Sequence, residues 1–165
     1  MNTILQQHHY EIYENQTGYP YERIFMPYME QTTNIIIEDP YINFPYQIDN
    51  LSRFCALAVR VGSVRQIKLK SATHFVESLA AADEKLSLLK RDLQARGVDF
   101  SWNRYPELHD REVRFDNGWV VKVGRGLDIY QKPASWISVE AVDLWLRPCK
   151  QTKVDVYKIP QTYAG

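Results

Sequence analysis

Three short apolar or alternating stretches, separated by two amphipathic segments of helix length, constrain this chain's fold more than any other feature. "NIIIEDPYI", 34–42, is a continuous apolar run stopped by Pro40, the pattern of a strand buried on both faces. In "YQIDNLSRFCALAVRVG", Ile48, Leu51, Phe54, Cys55, Ala58 and Val61 recur at three- and four-residue steps before Gly62. That spacing predicts an amphipathic helix with a glycine just past its last turn. "VRQIKLK", 64–70, alternates basic with apolar residues as a strand does, a helix over about 75–96 closes at Gly97, and "VDFSW" supplies a further strand. Strand, helix, strand, helix, strand is the order of parallel βαβ units, so the fold class is α/β.

The character changes after residue 108. Asp116-Asn117-Gly118 lies between two alternating segments, and Asn-Gly is a strong short-range hairpin signal. With further strands expected at about 136–140, 142–149 and 153–159, the C-terminal third is β-rich and the sheet is mixed, flanked by helices. "YPYERIFMPYMEQ", 19–31, carries Pro27 inside a helical pattern and predicts a short or bent helix. Residues 1–9 read as a flexible lead-in. No internal repeat or linker composition interrupts the chain, and 165 residues that are 45% hydrophobic and 24% charged suit one domain over 1–165.

Formal charge is zero, but residues 1–50 hold one basic and seven acidic residues, leaving nineteen basic against thirteen acidic beyond them. This −6 and +6 split permits a basic surface, with a solvated mixture of charges as the plainer alternative. Cys55 and Cys149 are far apart and form no metal-ligand pattern, which suits unpaired thiols in a reducing compartment. The N-terminal residues lack a basic leader and an apolar run, and no stretch approaches the roughly 18 apolar residues that span a bilayer. The expectation is a cytoplasmic protein, peripheral to a membrane if it meets one, with no metal and no cofactor.

The polar residues most in need of explanation lie in "HDREVRFDNGWVVKVGRGLD", 109–128. With a period of two, His109 and Arg111 share a strand face with Val113 and Phe115, while Asp110, Glu112 and Arg114 share the other. An arginine aimed toward a core needs an anionic partner, because an unpaired buried charge is very costly. Glu38 or Asp39, at the end of the first strand, supplies one internally; a bound phosphate would serve equally well. The residues alone leave both open.

His109-x-Arg111-x4-Asp116 resembles the His-x-Lys-x4-Asp motif of the phospholipase D superfamily, with arginine in place of lysine. "IEDPYI", "LSRFC", "LHDREVRFDNGWVVKVGRGLD", the Lys132-Pro133 pair and "LRPCKQTKVDVY" together are similar to the C-terminal phospholipase D-like domain of MIT-domain-containing proteins, from about Tyr10 to Lys158. The resemblance implies a phospholipase D-like fold, a homodimer, and binding to acidic phospholipids without known hydrolysis. It also implies that His109, Arg111 and Asp116 would be the catalytic set of an active member. Superfamily catalysis uses two such motifs, and this chain has one; a symmetric dimer would bring two copies of His109 together. The Gly-Ser-x-Asn element that follows in the superfamily is represented only by Gly124-Arg125-Gly126, without its serine and asparagine. Arginine keeps the charge and binds phosphate as a fork, which favours binding over turnover. Arg111, Arg125 and Lys122, with Gly124 and Gly126 allowing close backbone approach, are therefore the candidate phosphate or lipid contacts.

The remaining candidates are weaker. His8 and His9 read as a solvated tail, His74 as structural, and Trp102, Trp119, Trp136 and Trp145 as core before any base-stacking or membrane role. Arg65, Lys68 and Lys70 form a basic strand face. Three functions follow: a silent module binding acidic phospholipids or another phosphate-bearing ligand, a dimeric phosphodiesterase or nuclease using His109 as nucleophile, and a structural dimerisation or interaction domain. Nucleic acid ranks behind lipid as a partner.

Overall fold

The computed structural model describes residues 5–160. Its centre is the predicted βαβαβ unit: β2 (Asn34–Glu38), α2 (Pro45–Val61), β3 (Gln66–Ala72), α3 (Val76–Ala95) and β4 (Asp99–Tyr105), with all three strands parallel. The hairpin falls at Asn117-Gly118, joining β5 (Glu112–Phe115) to β6 (Trp119–Val123), and Gly118 takes the positive φ of 100° that the turn requires. β5 pairs antiparallel with β2. With β7 (Thr152–Lys158) and β1 (His8–Ile12) added, the sheet has seven strands in the order β1-β7-β6-β5-β2-β3-β4.

Alternation along the strands sorts residues between the two faces. Ile35, Ile37, Ile67, Leu69, Phe100, Val113 and Val121 lie in register on one face and are buried beneath α2 and α3. Against them pack Phe54 of α2 and the aromatics Tyr21 and Phe25 of the bent helix, which is resolved into α1 (Tyr21–Ile24) and a 3-10 turn at Met26–Tyr28. Pro27 stands in that 3-10 turn, where its missing N–H breaks no α-helical ladder. The opposite face carries Lys68, Arg114, Lys122 and Asp155, all exposed.

Three expectations are corrected. His8 and His9 belong to an edge strand, not a free lead-in: β1 pairs with β7, His9 opposite Asp155. Residues 1–4 lie outside the described residues. The segments at 136–140 and 142–149 are not strands. Apart from one bridge between Cys149 and Tyr130 they form turns and a single helical turn, α4 (Val139–Val142). Trp136, Ile137, Val139, Val142, Trp145 and Leu146 find no sheet partner and stay exposed, Ile137 at 95% and Val142 at 85%. The tryptophans divide: Trp119 is buried and Trp102 partly buried, whereas Trp136 and Trp145 are exposed.

Candidate functional site

The path of the chain around Asp39 creates the site. Just beyond β2, Asp39 is 1% exposed and accepts hydrogen bonds from the N–H of Tyr41 and of Leu127, each at 3.0 Å. Arg111, one residue before β5, meets it with Nη2 at 3.4 Å from Oδ1. Strand alternation selects Asp39 over Glu38, because Glu38 sits opposite Glu112 on the outward face and pairs with Lys70 instead. Burial pushes the Asp39 carboxyl above its ordinary value, and Arg111 and the two N–H donors oppose that shift.

Gly126 permits this approach. Its φ is +62°, and a Cβ there would overlap the Asp39 carboxylate and stand 2.8 Å from Arg111 Nε. The Gly124-Arg125-Gly126 turn is tied down by Thr152 of β7, whose hydroxyl accepts from the Arg125 N–H at 3.0 Å. Arg111 is only partly spent on its ion pair. Its guanidinium carbon lies 4.8 Å from the centre of the Tyr41 ring, which itself stacks on His74, and its Nε is buried without a hydrogen-bond partner.

Beside this pair opens a cleft of about 410 Å³, lined by Arg111, Gly124 and Arg125 and walled by Tyr41, Phe44 and Phe75. Its one lining carboxylate, Asp128, is engaged by Lys150 at 3.1 Å and Arg111 is paired with Asp39, so Arg125 leaves the cleft a net positive charge. Gln47 steadies the wall: its side-chain oxygen accepts from the N–H groups of Asn43 and Phe44, closing the start of α2.

Other candidates lie elsewhere. His109 is exposed in the loop before β5, outside the strand and not among the residues lining the cleft. Asp116 is at the far end of β5, where its carboxylate accepts from the N–H and hydroxyl of Thr33 and ties the hairpin to the start of β2. Lys122 projects from the outward face between Glu112 and Asp155. The structure thus gathers Arg111, Gly124, Arg125, Gly126 and Asp39, whereas His109, Asp116 and Lys122 do not line the cleft and Glu38 faces outward.

The outward face holds a cluster that spacing within single strands could not show. Carboxylate oxygens of Glu38, Asp110 and Glu112 lie within 4.8 Å of one another. Arg114 binds Glu112 at 2.9 Å, and Lys70 approaches Glu38. Burial, and then Glu112, raise the Glu38 carboxyl above its ordinary value. Both cysteines are free and buried, their thiols pushed up by burial to about 12 for Cys55 and about 11 for Cys149.

Residues 18–158 match the family described as the phospholipase D-like domain at the C-terminus of MIT. The chain belongs to that family. It is 40% identical over 151 residues to MIT domain-containing protein 1 of Mus musculus, across 89% of this chain and 60% of that protein. It therefore spans about three fifths of the length of that relative. Among solved structures it is similar to a phosphatidylserine synthase from Haemophilus influenzae, with 12% identity, a TM-score of 0.47, and coverage of 95% of this chain and 35% of the other. No helix among the described residues is long and apolar enough to cross a membrane.

Proposed function

We propose that this phospholipase D-like domain is a non-catalytic module that binds phosphorylated ligands, acidic phospholipid headgroups at a cytoplasmic membrane surface above all, and acts as a homodimer. One observation carries the reading: Arg111 and Arg125 line a single cleft whose one carboxylate is already neutralised by Lys150. An anion entering it meets the forked guanidinium of Arg125 and the remaining donors of Arg111, whose charge is shared with Asp39. The loop that exposes Ile137, Val139 and Val142 supports the membrane side of the reading, since apolar groups at such exposure suit an interface. Hydrolysis would need a nucleophile at the phosphorus, and His109 does not line the cleft.

The test is co-sedimentation with phosphatidylcholine vesicles made with and without phosphatidylserine. Preferential binding to the acidic vesicles is expected, weakening as salt rises beyond ~150 mM, where the Debye length is ~8 Å. Arg111→Gln combined with Arg125→Ala should abolish the preference, and a melting curve confirms the fold. Unchanged binding by the folded double variant overturns the proposal.

A further inference from the structure

A second pocket, of about 510 Å³, adjoins the first across Tyr46 and Asp128, which line both. One wall is a single face of α2: Tyr46, Asp49, Asn50 and Arg53 stand at helical steps of three, one and three residues. The opposite wall comes from 128–150, including Lys132, Trp136 and Arg147.

The charges here are unbalanced. Four cations, Arg53, Lys132, Arg147 and Lys150, face two carboxylates, Asp49 and Asp128, and Lys150 already holds Asp128. Arg53 has no ion-pair partner among the described residues and bonds only the side-chain oxygen of Asn50, at 3.2 Å. Arg147 is 4% exposed yet meets no carboxylate: its Nε, Nη1 and Nη2 donate to the main-chain carbonyls of Glu140, Gln131 and Ala141. Those bonds fix the guanidinium in place and use three of its five donors, and no carboxylate among the described residues forms an ion pair with it. Burial lowers the Arg147 pKa and repulsion from Arg53 adds to it, with the Glu140 carboxylate opposing the shift. Two guanidiniums that line one pocket, neither of them in an ion pair among the described residues, are a preformed seat for an anion.

The exposed rings of Trp136 and Tyr46 stand on the pocket lining and offer flat surfaces beside that seat. We infer that this pocket is a second anion site, distinct from the Arg111 cleft, which takes a phosphomonoester carried on a planar or apolar body through Arg53, Arg147 and Lys132. The inference does not depend on membrane binding at Arg111.

The indole N–H resonance of Trp136, assigned by its loss in Trp136→Phe, reports on the pocket locally. Titration uses two probes, phenyl phosphate as a soluble ester and monomeric dihexanoyl phosphatidic acid as a lipid headgroup; the tighter of the two identifies the source. Saturable movement of the Trp136 signal is expected, with affinity at least tenfold weaker in Arg53→Gln and within twofold in the distant surface variant Arg96→Gln. Arg53 is only partly buried, so its substitution leaves the core intact. A Trp136 signal that neither probe moves, or one that moves equally in Arg53→Gln, overturns the inference.

Discussion

Asp39 and Glu38 are neighbours in sequence and opposites in environment. One turns inward to Arg111 and the other outward to a cluster of its own kind. That an inward arginine needs a carboxylate was legible from charge and periodicity; which carboxylate was not, because the choice depends on the antiparallel register that sets Glu38 opposite Glu112. The same register makes Glu38 a pH-sensitive position. Its carboxyl titrates above the ordinary value of 4.5, so the folded state holds the proton more tightly than the unfolded chain. Its contribution to stability is therefore greatest when protonated and declines as pH rises from 4.5 through the raised value. Glu38→Gln removes that decline. In thermal melts the variant should gain on the wild type as pH goes from 4 to 7; a constant difference across that range would contradict the assignment.

At the scale of elements, hydrophobic period carried the reading wherever a segment has a partner to pack against. α2 follows its apolar stripe, the hairpin follows Asn117-Gly118, and Pro27 stands in the 3-10 turn that follows α1. Period misleads over 136–149, where Trp136, Ile137, Val139, Val142 and Trp145 carry the apolarity of strands but remain exposed. β1 escaped notice for the converse reason. "HHYEI" is polar because it is an edge strand, and only Ile12 is fully buried. The exposed loop gives a separable test. Ile137→Asp with Val142→Asp should alter stability by no more than ~0.5 kcal/mol per site, as surface substitutions do. If the loop meets the bilayer, the pair nevertheless reduces sedimentation with acidic vesicles severalfold. Loss of fold, or full retention of vesicle binding, would show that the loop serves packing or another contact.

For the whole molecule, the sign change between the two ends of the chain becomes spatially meaningful where the sheet closes. Acidic Asp39 from the N-terminal part is buried against basic Arg111, and the residual positive charge of the later segments, Arg125 and Arg147 among them, borders the two clefts. The pairing of 34–39 with 111–127 explains why the arginine and the histidine of one motif stand in different surroundings. Asp39 and the Gly126 turn position Arg111, whereas His109 is left on an exposed loop with no element to aim it. The motif was legible in the sequence, but its dispersal was not, since spacing along a strand presumes that the strand begins at the histidine.

Hydrolysis of a generic phosphodiester in excess chelator tests the central claim most directly, comparing the intact protein with His109→Ala at matched thermal stability. No turnover above background is predicted for either protein. Turnover by the intact protein that His109→Ala abolishes would contradict a binding-only module and restore His109 as a nucleophile.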